Sequence, residues 1–200
     1  SHGITVQSSH VTIDLMGFSL VGPRSTEYYH GIYSESTVDN VKIRNGTIRD
    51  FVGSGYRSGS IGHQAINITA ANNGEAGLHL GGKSSLVKDC IVFSNSGLGI
   101  YAGPGSTISG NTCYDNGWDG INTNIGSTII GNTCRDNKDD GIYAGTGSSV
   151  IGNTCYHNTD HGIYLEGHSY AGQNTCYGNG TNMNNCPAVT SCFQDFNYAP

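Results

Sequence analysis

Cys113, Cys134, Cys155 and Cys176 follow one another at intervals of 21 residues, and each closes the triplet Asn-Thr-Cys. Gly99, Gly120, Gly141 and Gly162 keep the same interval, each opening a Gly-Ile step. A repeat this short cannot bury an apolar face alone, but stacked repeats can, so the period dictates a solenoid. Looser copies of the Gly step occur at Gly3, Gly31 and Gly77, and a degenerate coil starts near Gly55. The expected total is about eight coils.

Two solenoids suit a period of this length. A leucine-rich repeat needs Leu at most core positions and a helical return. These coils instead hold Asn, Gly and β-branched residues, with 31 Gly in 200 residues and no apolar 3.6-residue period. Each coil reads as three short strands; in the coil at Gly141 they cover 141–144, 149–151 and 154–156. Gly, Ser, Asn and Asp punctuate them as turns require. The chain is therefore expected to be all-β, a parallel β-helix over 1–179 with a capping tail over 180–200.

Alternation assigns the faces. One inward column runs through Ile32, Leu78, Ile100, Ile121, Ile142 and Ile163. A second holds Val87, Ile108, Ile129, Val150 and Ala171, and a third holds Ile48, Ala70, Val92 and then the four Cys. Buried Cys acts as a small hydrophobe, and four in one column do not surround a metal ion. Asn111, Asn132, Asn153 and Asn174 are expected in the left-handed region at a bend, and stacked Asn side chains can hydrogen-bond along the axis. Asn73, Asn95, Asn116, Asn137, Asn158 and Asn179 form a second such column.

The pattern Asn-Thr-Cys-x-x-Asn-Gly…Gly-Ile-Tyr, with the opening coil Val11-Thr12-Ile13-Asp14-Leu15-Met16-Gly17-Phe18, resembles the right-handed parallel β-helix repeat proteins of the pectin-lyase-like group over residues 3–179. The resemblance implies a right-handed single-stranded solenoid. It does not select a function, since lyases, hydrolases, epimerases, phage tailspikes and surface proteins share that fold.

The ends need covers. Phe193, Phe196 and Tyr198 are candidates for the last coil, and Cys186 and Cys192 could close a small disulfide loop. At the N-terminus a partner, a preceding segment or further subunits would cover the first coil, and a homotrimer is one such arrangement. The chain opens at Ser1 without a signal peptide, which fits a processed secreted protein or a trimmed chain. The expected location is extracellular or at a cell surface. Net charge is −6, and the nine Lys and Arg form no run, so nucleic acid is not an expected partner. No apolar stretch is long enough to insert in a membrane.

The expected partner is a polysaccharide or other glycan. Outward on the first strand lie Tyr101, Asn122, Tyr143 and Tyr164, continuing a column of Thr5, Tyr33 and His79. Aromatic rings at steps of about 4.8 Å make a rigid face suited to sugars. Tyr is also favoured on any exposed strand surface. The turn before that strand reads Trp118-Asp119-Gly120, Asp139-Asp140-Gly141 and Asp160-His161-Gly162 on successive coils. This resembles the polygalacturonase motifs Asn-Thr-Asp-Gly, Asp-Asp and Gly-His-Gly. The resemblance implies Asp139 as acid, Asp119 and Asp140 as the pair activating water, and His161 as a positioning group. Inverting hydrolysis needs carboxyl groups about 6.5–9.5 Å apart, which one coil step plus lateral offset can reach.

That family's basic Arg-Ile-Lys motif has no counterpart, and no Arg or Lys follows His161. A neutral substrate is then expected. Asp, Asn and His before Gly are also ordinary turn residues, and His-Gly-Ile recurs at His2 and His30 without acids. The carboxylates of Asp119, Asp139, Asp140 and Asp160 supply enough oxygens for Ca²⁺, so a Ca²⁺-dependent lyase is an alternative. Three function classes stay open: a glycan hydrolase or lyase, a carbohydrate-binding or adhesion module, and a structural solenoid such as a phage fibre.

Overall fold

Three inward apolar positions per coil can leave water only against the coils above and below, so the chain winds. A computed structural model describes residues 1–23, 26–184 and 192–194. They form two parallel sheets and no helix, hence no helix long and apolar enough to cross a membrane. The first sheet has nine strands: Ile4–Val6, Ile32–Ser34, Tyr56–Ser58, Leu78–Leu80, Ile100–Ala102, Ile121–Thr123, Ile142–Ala144, His161–Leu165 and Thr181–Asn184. The second sheet joins the other strands of every coil. In most coils these are two three-residue strands, as at Thr128–Ile130 and Thr133–Arg135.

Two early coils differ from the expected three strands. Lys42–Arg49 and Gln64–Ala71 each run through the corner as one eight-residue strand. Asn45 and Asn67 mark that corner with φ of 57° and 52°. They continue a column of left-handed residues through Asp89, Gly110, Gly131, Gly152 and Gln173. This corrects the expectation for Asn111, Asn132, Asn153 and Asn174. The bend falls one residue before each of them, and the Asn side chains are buried instead.

Burial lets each Asn work as a bridge. Asn111 donates its backbone N–H and its Nδ2 to Oδ1 of Asn132, both at 2.9 Å, and Nδ2 also reaches the Val87 carbonyl. The same bonds recur at Asn132 and Asn153. The second column, from Asn73 to Asn179, repeats the scheme. Asn pairs with turn backbone that would otherwise be buried without partners. Cys90 begins the first column in place of Asn, its S–H directed at the carbonyls of Ala65 and Lys88.

The three apolar columns are as expected, and every member from Ile32 to Cys176 is 3% exposed or less. Cys113, Cys134, Cys155 and Cys176 are cross-strand partners in register, all buried and unbonded to one another. In the degenerate coil Tyr56 fills the Ile position and brings a hydroxyl into the core. That hydroxyl bonds to His63 Nδ1 at 2.7 Å and to Ser34 Oγ at 3.3 Å, while His63 Nε2 meets the Val38 carbonyl.

The repeated Gly follows from close coil approach. A Cβ built on Gly99 would lie 2.4 Å from the Gly120 carbonyl oxygen, and one on Gly141 2.5 Å from that of Gly162. The sheets also extend past residue 179: Thr181–Asn184 pairs with His161–Leu165, and Cys192–Gln194 with Asn174–Tyr177. The expected Cys186–Cys192 disulfide and the covering side chains of Phe193, Phe196 and Tyr198 lie outside the described residues.

Candidate functional site

The residue before each conserved-spacing Gly occupies one column, because its neighbours pair in register on the nine-stranded sheet. Asp119, Asp140 and His161 are successive members. Each acid performs the same backbone task. Asp119 Oδ1 accepts the N–H of Asp140 at 3.1 Å, and Asp140 Oδ1 accepts the N–H of His161 at 2.9 Å. At the other end of the column His rings do likewise. His2 Nδ1 accepts the His30 N–H at 3.0 Å, and His30 Nδ1 accepts the Ser54 N–H at 2.9 Å. The position therefore selects a side-chain acceptor that holds the next coil, which accounts for both Asp and His there.

Beyond that task the late coils carry more polar groups. Asn122 Nδ2 donates to Asp119 Oδ2 at 2.7 Å. His161 Nδ1 lies 2.8 Å from Asp140 Oδ1 and 3.4 Å from Asp160 Oδ1. A ring donating from Nδ1 to Asp140 keeps its basic nitrogen at Nε2. Asp119 is only 5% exposed, and burial raises its carboxyl to about 6 against the hydrogen bonds from Asn122 and Asp140. Burial likewise raises Asp140, opposed by its bonds to His161.

These groups floor a shallow cleft of about 390 Å³. Trp118, 61% exposed, and Tyr101, Tyr143 and Tyr164 stand around it, and Asp139 and Asp160 reach it from the turns. Tyr143 and Tyr164 stack with ring centres 5.1 Å apart, and His161 meets Tyr164 edge-on. The Tyr143 hydroxyl donates to Glu166, which also accepts from the backbone N–H and hydroxyl of Thr146. The Glu166 bond pushes Tyr143 up to about 12 and lowers Glu166. All eight residues singled out in the sequence thus line one hollow.

One oxygen from each of Asp119, Asp139 and Asp140 lies within 4.8 Å of the others. An all-oxygen triad suits a hard cation such as Ca²⁺. Asp140, Asp160 and His161 form a second triad of the same span.

Arg135 lies on the outer face of the third strand, bonded to Asp136 and 4.2 Å from the Tyr114 ring centre. The cation that does share the sheet face is Arg57, in register between Tyr33 and His79. Sequence alignment by period passed over it, because the coil spacing before residue 86 is irregular. The Tyr56-Arg57-Ser58 strand lacks the Gly-Ile signal.

Residues 54–194 match the family described as right handed beta helix region. No curated protein sequence matches. Among solved structures, a pectate lyase superposes with a TM-score of 0.65 at 13% identity, over 90% of this chain and 59% of its own. A mannuronan C-5 epimerase A-module from Azotobacter vinelandii gives 0.56 at 11% identity, over 94% and 78%. Tailspike protein 2 of an Escherichia coli bacteriophage gives 0.62 at 14% identity, over 86% and 30%. The chain thus spans less than two thirds of the pectate lyase and less than a third of the tailspike, and the likeness at these identities is one of fold. With its stacked parallel coils and a sequence match over more than half its length, the chain belongs to the right-handed β-helix family.

Proposed function

We propose that this protein is a carbohydrate-directed β-helix that takes a polysaccharide along the outer face of its nine-stranded sheet and cleaves it over the Asp119–Asp140–His161 column. The observation that carries the reading is the cleft itself, where aromatic walls stand over a floor of carboxylates and an Asp–His pair. Ring faces take the apolar side of a sugar, and carboxylates accept its hydroxyls. The presence of a pectate lyase and a mannuronan epimerase among the structural neighbours supports a glycan ligand.

A histidine held by a carboxylate supplies a base for proton abstraction. Asp140 orients His161 through its Nδ1, which leaves Nε2 as the base. Burial raises the Asp119 carboxyl to about 6, so it is ionised at neutral pH, with Asp139 at the open edge of the cleft. Asp119, Asp139 and Asp140 would hold Ca²⁺, which supplies charge neutralisation for an acidic sugar. Location outside the cytoplasm belongs to this proposal. So does self-association through the first coil, where Met16 and Phe18 are 74% and 75% exposed.

The test is product release from neutral and acidic polysaccharides, with Ca²⁺ or with EDTA. Both new reducing ends and unsaturated, ultraviolet-absorbing ends are read. His161→Ala and Asp140→Asn should abolish release while the protein stays folded. No product from any polymer would refute cleavage. Polymer retention without cleavage, lost in Trp118→Ala, would favour the second reading, a carbohydrate-binding module on the same aromatic walls.

A further inference from the structure

A second hollow of about 360 Å³ adjoins the cleft on the same face. Ser54, Arg57, Glu75 and His79 line it, and Leu98 and Trp118 line both hollows. From Arg57 the outward column passes through His79 and Tyr101 to Asn122. Three rungs at about 4.8 Å put the backbone of Arg57 about 14 Å along the axis from that of Asn122, the partner of Asp119.

Arg57 is set differently from the other arginines described. Arg44 and Arg135 make charge-assisted bonds to Asp14 and Asp136 at 2.8 Å and 2.6 Å. Arg57 is 40% exposed, and its nearest carboxylate oxygen, Glu75 Oε2, lies 3.7 Å away. That separation exceeds the about 2.7–2.9 Å of a charge-assisted hydrogen bond. The same Glu75 oxygen already accepts the Ser54 hydroxyl at 3.1 Å. A guanidinium has five N–H donors in a planar fork matched to a carboxylate or sulfate. Burial, reinforced by Arg57, drops His79 to about 4, so it hydrogen-bonds at neutral pH without adding charge.

We propose that this hollow is an acidic-sugar subsite, in which Arg57 binds the carboxylate or sulfate of a glycan unit three rungs from the Asp119–Asp140–His161 cluster. The proposal rests on the carbohydrate reading above and names an acidic class of sugar where the sequence alone led to a neutral one. The acids Asp119, Asp139, Asp140 and Asp160 repel an anion at the other end of the face. A preference for acidic glycans in the absence of metal must therefore come from the Arg57 end.

The experiment is calorimetric titration in EDTA at low salt. The probes are an oligogalacturonate, its full methyl ester, and a sulfated and an unsulfated cello-oligosaccharide of equal length. The native protein should bind an acidic probe about tenfold or more tightly than its neutral counterpart, weakening as salt is added. Arg57→Gln should erase that preference at an unchanged thermal midpoint, while Arg57→Lys keeps part of it. The acidic probe that loses more in Arg57→Gln identifies carboxylate or sulfate as the group read. Glycan binding with no acidic preference, or a preference that survives Arg57→Gln, would overturn the subsite and leave the carbohydrate reading standing. No binding of any probe, nor of any polymer tested for cleavage, would overturn both.

Discussion

Replacing Asp119 by Asn isolates what a buried charge does at this turn. Folding moves the Asp119 carboxyl from an ordinary 3.8 to about 6. Below pH 3.8 it is protonated in the folded and unfolded chain alike, and stability is unaffected. Between the two values the folded chain holds the proton more tightly, so stability falls as pH rises and levels off above about 6. A shift of one pKa unit is about 1.4 kcal/mol, so the ionised carboxylate costs about 3 kcal/mol at neutral pH. Asn has no charge to bury. Its Oδ1 can still accept the Asp140 N–H, and the Asn122 amide can turn to present oxygen to the new Nδ2. Asp119→Asn should therefore match the native protein at pH 4 and exceed it by about 3 kcal/mol at pH 7.5, or about 6–12 °C in midpoint for a chain of this size. Thermal and urea unfolding in EDTA at the two pH values measure this. Equal shifts at both pH values, or a loss at pH 7.5, would refute the account of Asp119 as a carboxylate held against burial.

Two other substitutions probe the stack itself. Asn137→Ala strands the Asn116 N–H, removes one partner of the Asn116 amide and the amide donor to the Cys113 carbonyl, and leaves Asn158 Oδ1 with the residue-137 N–H alone. Its urea midpoint should fall by the equivalent of about 3 kcal/mol or more. Gly141→Ala puts a methyl 2.5 Å from a carbonyl oxygen and 2.7 Å from Asn158 Nδ2, whereas Gly167→Ala meets nothing within 4 Å. The first should cost about 1–3 kcal/mol by calorimetry and the second should be close to neutral.

The late coils were legible because each Gly, Asn, Ile and Cys recurs under the same constraint. Parallel register at a fixed 21-residue offset turns every position into a column, so one coil read correctly reads its neighbours too. The early coils obey the same physics with other residues. Tyr56 does the work of Ile only because its hydroxyl donates to His63 and accepts from Ser34, a tertiary condition that local pattern does not reveal. Arg57 was hidden for the same reason. At the candidate site the sequence located Asp119, Asp140 and His161 in one column. It did not disclose that the acids cap the backbone of the following coil, because Asp before Gly reads identically as a turn residue or as an acid in waiting. The left-handed bend was placed one residue late, since Gly110 and Asn111 are both at home in turns.

The fixed register also separates the length of this molecule from its chemistry. Leu86–Lys88 through Tyr170–Gly172 pair in unbroken 21-residue steps. Excising a span such as residues 120–140 would rejoin Asp119 to Gly141 with every column in phase. Ile would again stack on Ile and Asn on Asn, and Asp119 would accept the N–H of His161 directly. The scaffold behaves like a tape whose frames can be cut or copied whole, shifting one side chain nearer another by a fixed pitch without renegotiating the core.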